Sequence, residues 1–178
     1  MKLIILDRDG VINHDSDSYI KTPDEWIPIP RSLDAIARLN AAGYRTVVAT
    51  NQSGIARGLF DLATLGAIHS KMHQAVAQAG GHIDAIFFCP HAGDAGCDCR
   101  KPKPGMINEI LRRYGMPAAD VPVVGDSMRD LLAAEAAGCP PRLVLTGNGL
   151  KTRSIGNLPV NTIIHDDLSA AVDQILVG

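Results

Sequence analysis

The chain has 178 residues, a formal net charge of -2, a hydrophobic fraction of 46% and a charged fraction of 20%, the make-up of a globular domain able to bury its own core. Aromatic residues make up only 4% and no lysine/arginine stripe stands out, which argues against a nucleic-acid partner. No apolar run approaches the roughly 18 residues that cross a bilayer, and the apolar start turns polar at Asp7, too early for a signal peptide. The expectation is a cytoplasmic monomer with no membrane partner.

Residues 2–6 form an all-apolar run ending at Asp7, the pattern of a buried parallel strand. From Ser32 the spacing turns helical through Leu33, Ile36, Ala37 and Asn40, with Gly43 as a stop. Residues 44–50 read as a second strand. Leu62, Leu65, Ile68, Met72 and Val76 make one face of a long helix that ends at Gly80 and Gly81. Residues 83–88 are a third strand, and 89–105 a loop rich in Cys, Gly and Pro. Ile107, Ile110, Leu111 and Tyr114 mark the next helix, 121–124 a fourth strand, and 131–137 a helix stopped by Gly138. Two more strands at 142–145 and 162–164 precede a closing helix carrying Leu168, Ala171, Val172 and Ile175.

This alternation predicts an α/β, three-layer, Rossmann-like fold over one domain, residues 1–178: a mostly parallel sheet with helices on both faces. Ligands of such folds sit beyond the C-terminal ends of the strands, where Asp7 and Asp9, Thr50 and Asp126 fall.

Four segments carry chemistry. In Asp7-Arg8-Asp9-Gly10, two carboxylates straight after a buried strand repel each other unless a cation intervenes. Thr50-Asn51-Gln52-Ser53-Gly54 offers a hydroxyl, amides and free backbone N–H groups to a phosphate. Arg100-Lys101-Pro102-Lys103-Pro104-Gly105 holds cations on a stiff backbone. Asp126 closes the fourth strand as a candidate magnesium ligand, and Asp130, one turn into the following helix, is either a support or a ligand.

Of four cysteines, Cys89, Cys97 and Cys99 fall with His91 within eleven residues. Three thiolates and an imidazole suit tetrahedral zinc with no open position, hence a structural ion. The cluster leads straight into Arg100 and Lys101, so pinning the loop would place those cations. Cys139 lies apart and reads as a small buried residue.

In this order, and each at a strand end, these motifs resemble the haloacid dehalogenase superfamily of phosphohydrolases. The resemblance implies that Asp7 is the nucleophile, that Asp9 is the general acid and base, and that Thr50, Arg100 and Lys101 stabilise the transferring group. It implies a catalytic magnesium held by Asp7, the Asp9 backbone carbonyl and Asp126. There is no room for an inserted cap domain between these motifs, so an open site is expected. A non-catalytic zinc-stabilised binding module would need a lost catalytic residue, and none is lost.

Within the superfamily, the Asp-Arg-Asp-Gly start, Thr50-Asn51-Gln52-Ser53-Gly54-Ile55-Ala56-Arg57-Gly58 and Cys99-Arg100-Lys101-Pro102 are similar to the D-glycero-D-manno-heptose 1,7-bisphosphate 7-phosphatase family. That resemblance implies a phosphorylated sugar substrate whose C7 phosphate is removed on the way to ADP-heptose and the lipopolysaccharide core. The implied sugar and phosphate contacts are Asp15, Ser18, Tyr19, Thr50, Asn51, Gln52, Ser53, Arg57, Arg100, Lys101 and Ser127. The chain departs from some members in having Ser127 where they carry lysine. The alternative is the histidinol-phosphate phosphatase family, whose members usually carry an acid where Ser53 stands.

Overall fold

Leu3, Ile4, Ile5 and Leu6 are each fully buried, although successive strand residues point to opposite faces. A strand of this kind is stable only in a sheet covered on both sides. Leu3 and Ile5 join one apolar cluster and Ile4 and Leu6 another. In the computed structural model, which describes residues 1–178, this run is β1 (Lys2–Leu6), near the middle of a six-stranded sheet.

Chain order is β1, α1 (Ser32–Ala41), β2 (Tyr44–Asn51), α2 (Leu62–Gln78), β3 (Ala85–Cys89), α3 (Gly105–Tyr114) and β4 (Val123–Gly125). There follow α4 (Met128–Ala137), β5 (Pro141–Val144), α5 (Gly149–Ile155), β6 (Ile163–His165) and α6 (Leu168–Val177). The strands lie in the order β3-β2-β1-β4-β5-β6, every neighbouring pair parallel. Residues of α1, α2 and α6 bury one face, through Ile36, Met72 and Val172 among others. Residues of α3 and α4 bury the other, through Ile110 and Ala134. The chain runs outward from β1 to β3, then returns to β4 on the other side of β1. That reversal opens a crevice at the C-terminal ends of β1 and β4.

Register brings the polar residues to one edge. Leu6 pairs with Val48 and with Val124, and the N–H of Asp7 donates to Val124 O at 2.9 Å. Asp7, Thr50 and Asp126 therefore emerge together.

The structure departs from the sequence reading in four places. Strands 3 to 6 are shifted by one or two residues from the expected bounds. Helix α4 starts at Met128, three residues before the expected start at Leu131, because Ser127 and Asp130 form a reciprocal capping box. Leu62, expected on the inner face of α2, is 60% exposed; it occupies the first turn after the Asp61 N-cap, and the buried face begins at Leu65. Helix α5 was not expected: it has no apolar stripe, and its buried side chain is the polar Thr152, which donates to Asp126 O at 2.8 Å. No helix is long and apolar enough to cross a membrane.

Candidate active site

Asp7 leaves the end of β1 into a cavity of about 260 Å³. Its Oδ1 lies 3.1 Å from Lys101 Nζ. Lys101 is buried, donates to Ala49 O at 2.7 Å, and reaches Asp130 Oδ1 at 2.6 Å. Burial works against its charge, but Asp130 and Asp7 outweigh it and its pKa is raised. It is a fixed cation beside Asp7.

Asp130 Oδ2 is occupied as well, by the N–H of Asp126 and by the N–H and hydroxyl of Ser127, at 2.8–3.2 Å. Both oxygens are thus committed, which makes Asp130 the support of Lys101 and of the β4–α4 turn. Gly125 is required there: a Cβ would lie 2.2 Å from Asp130 Cβ.

Asp126 is crowded by backbone. A Cβ on Gly10 or Gly147 would come within 2.0 or 2.3 Å of Asp126 Oδ2, and both glycines have positive φ. The N–H of Asn148 donates to the same oxygen at 2.8 Å, and its amide Nδ2 donates to it at 3.3 Å and to Asp15 Oδ2 at 2.8 Å. Asn148 is a site residue that the sequence reading missed. Its signal is Thr146-Gly147-Asn148-Gly149, a polar glycine turn at the end of β5, where the strand-end rule applies as it does to Asp126.

The carboxylates crave positive charge. Burial, then Asp130, push Asp7 up to about 7 despite Lys101, and burial, then Asp130 and Asp7, push Asp126 up to about 8. Carboxylate oxygens of Asp7, Asp126 and Asp130 lie within 4.8 Å of one another. An all-oxygen set with uncompensated negative charge fits a hard divalent cation such as magnesium. Asp7 and Asp126 are free to bind it, whereas Asp130 is not.

Asp9 is held differently. Oδ1 accepts from Arg8 Nε at 2.8 Å and Asn13 Nδ2 at 2.9 Å. Oδ2 accepts from Arg8 Nη2 at 3.1 Å and Gln52 Nε2 at 3.3 Å. Burial would raise its pKa, but Arg8 lowers it below the ordinary carboxylate value.

At the end of β2, the buried Thr50 accepts from Gln52 Nε2 at 3.0 Å. The Asn51 amide bonds the Lys101 peptide on both sides. Of the other residues expected to touch substrate, Asp15, Ser53, Arg100 and Ser127 line the same cavity. Tyr19 and Arg57 line it too, the guanidinium 5.8 Å from the ring centroid. Ser18 does not: it is exposed and lies off the cavity, its carbonyl accepting from Lys21 Nζ instead. Arg129 joins the lining and adds a third arginine.

The thiols of Cys89, Cys97 and Cys99 and His91 Nδ1 gather at the end of β3 within 4.8 Å of one another. Cys89 Sγ is 3.7 Å from Cys97 Sγ and 3.1 Å from Cys99 Sγ, while His91 Nδ1 is 3.4 Å from the first and 3.3 Å from the last. Three thiols and an imidazole gathered this closely are the donor set of tetrahedral zinc. The 3.7 Å pair has the roughly 3.5–3.8 Å spacing that Zn–S bonds of about 2.3 Å set, and the shorter pairs would open by a few tenths of an ångström around the ion. The thiols are free, not disulfide-linked. Arg100 Nη1 donates to His91 O at 3.3 Å, tying the cluster to the cavity.

A carboxylate beside a buried lysine, a metal-suited partner from β4 and a hydroxyl from β2, all at one sheet edge, suit phosphoryl chemistry. The chain belongs to the haloacid dehalogenase-like hydrolase family, whose model matches residues 2–138. It is 63% identical over 176 residues to the D-glycero-beta-D-manno-heptose-1,7-bisphosphate 7-phosphatase of Bordetella bronchiseptica, covering 99% of this chain and 98% of that protein. It is 57% identical to the Pseudomonas aeruginosa enzyme of the same name, over 98% of this chain and 97% of that one. The crystal structure of D,D-heptose 1,7-bisphosphate phosphatase from B. bronchiseptica, complexed with magnesium and phosphate, superposes with a TM-score of 0.98 over 99% of each chain at 63% identity.

Proposed function

We infer that the chain is a magnesium-dependent phosphatase that removes the C7 phosphate of D-glycero-β-D-manno-heptose 1,7-bisphosphate and leaves heptose 1-phosphate, a precursor step toward ADP-heptose and the lipopolysaccharide core. The observation that carries this reading is a near-full-length match to enzymes of that name in a chain whose cavity brings together Asp7, Asp9, Thr50, Lys101 and Asp126. The β anomer follows the name of those relatives.

In this reading Asp7 attacks phosphorus. The bond between phosphorus and the C7 oxygen breaks, its electron pair passes to that oxygen, and Asp9 protonates it. Asp9 then takes a proton from water, which attacks the aspartyl-phosphate and releases inorganic phosphate. Lys101 and Thr50 steady the phosphoryl oxygens, with Arg100 at the rim. Magnesium held by Asp7, Asp126 and the Asp9 carbonyl supplies the positive charge that offsets repulsion between anionic nucleophile and anionic substrate. Cys89, His91, Cys97 and Cys99 would hold zinc, whose part would be structural, keeping Arg100 and Lys101 in place. A cytoplasmic monomer acting on a small sugar phosphate accords with this chemistry.

The test is phosphate release, with magnesium present, from both anomers of heptose 1,7-bisphosphate and from histidinol phosphate side by side. The reading predicts a large kcat/KM advantage for the β heptose; a preference for histidinol phosphate would overturn the substrate and leave the chemistry of Asp7 standing.

A further inference from the structure

Arg8, the residue between the two aspartates, is fully buried. A guanidinium carries five N–H donors, no acceptor and a permanent charge. Two of its nitrogens serve Asp9, as described. The third, Nη1, meets Nε2 of His69 at 3.1 Å; His69 stands on α2, 61 positions along the chain, and is 8% exposed. Since arginine cannot accept, the bond requires a lone pair on His69 Nε2, so this histidine is a neutral acceptor. Neither Arg8 nor His69 lines the cavity. A buried charge without full pairing is costly, and here the pairing runs from the body of α2 to the proposed acid.

We propose that His69 is a positioning residue for phosphoryl transfer: through Arg8 it fixes the direction of the Asp9 carboxyl, with Oδ2 as the atom that delivers the proton. Oδ1 is committed to two short bonds, at 2.8 and 2.9 Å, whereas the bonds to Oδ2 are 3.1 and 3.3 Å long. Oδ2 also shares Gln52 Nε2 with the hydroxyl of Thr50, which directs it toward the phosphoryl site. The step is the one above: the bond from Asp7 to phosphorus forms, the ester bond breaks, and the proton on Asp9 Oδ2 moves to the departing oxygen. This inference rests on Asp9 being the general acid.

The experiment compares kcat/KM for heptose bisphosphate and for p-nitrophenyl phosphate. That ratio covers only events up to ester cleavage. A departing sugar alkoxide needs the proton; p-nitrophenolate leaves without it. With His69→Leu, heptose bisphosphate turnover is expected to fall by about tenfold or more and that of p-nitrophenyl phosphate by less than about threefold. His69→Gln, whose amide oxygen can accept from Arg8, is expected to restore most of the loss. An equal fall on both substrates, or no fall, would overturn the proposal. Asp9→Asn is the control: if it too lacks dependence on the leaving group, the general-acid reading fails; if it has that dependence and His69→Leu lacks it, only the role of His69 fails. Should His69→Leu not fold by thermal melting, His69→Ala with and without added imidazole makes the same comparison. Rescue confined to the sugar substrate is expected, and absence of leaving-group dependence overturns the proposal.

Discussion

The side-chain amide of Asn51 grips the peptide of Lys101 at both ends: Nδ2 donates to Lys101 O at 3.0 Å, and Oδ1 accepts from Lys101 N at 3.1 Å. Asn51 ends β2 and Lys101 follows the cysteine cluster. The contact ties the loop to the sheet beside the Lys101 ammonium, which the proposed mechanism places on the phosphoryl oxygens.

Asn51→Ala is therefore expected to lower kcat by about tenfold with little change in KM, since small misplacements of a charged group are costly in the transition state. Steady-state kinetics on heptose bisphosphate check this. A rise in KM alone would make Asn51 a sugar contact and not a strut.

The cysteine cluster is a second tether on the same segment. Removing zinc with a chelator, or replacing Cys97 with serine, is expected to lower both the melting temperature and kcat, and added zinc to restore the chelated protein. Metal analysis alongside melting and activity checks this; an apo protein with unchanged kinetics would show that the loop does not place Arg100 and Lys101.

Gly147→Ala should weaken magnesium binding. The added Cβ would lie 2.3 Å from Asp126 Oδ2 on a backbone with φ of +56°. The expected readout is a magnesium requirement raised by about tenfold or more, a carboxylate ligand having been displaced. An unchanged magnesium titration with normal folding would contradict the role given to Asp126.

Acid should destabilise the fold through His69. Burial and the Arg8 charge push its pKa down to about 3, against about 6.5 in the unfolded chain. Between those values the unfolded chain takes up a proton that the folded one refuses, so stability falls as pH drops below about 6.5. From pH 7 to 5.5 this residue accounts for about 1 kcal/mol. Urea unfolding of wild type and His69→Gln at both pH values checks it: the variant should lose about that much less, and equal losses would contradict it.

Strand ends are legible in this sequence because buried apolar runs stop abruptly at Asp7, Thr50 and Asp126, and a parallel sheet gathers such ends at one edge. The gathering of Cys89, His91, Cys97 and Cys99 is legible because all four residues are local in the chain. Contacts that depend on tertiary register are not. The grip of Asn51 on Lys101 spans 50 positions and that of Arg8 on His69 spans 61. In the sequence Arg8 is only the spacer of an Asp-x-Asp, and His69 a polar position on a helix read for its apolar face. Asn148 and α5 escape because a seven-residue helix without an apolar stripe has no periodic signal. That Ser18 lies off the cavity while Ser16 lines it is not legible, because a run of small polar residues does not reveal which of them turn inward.

The most direct test of the account is turnover of heptose bisphosphate by Asp7→Asn, with folding verified by circular dichroism. Asparagine keeps the shape but lacks the nucleophilic charge, so the account predicts a folded protein whose phosphate release has fallen to background. Retained turnover in the folded variant would remove Asp7 as the nucleophile and with it the proposed mechanism.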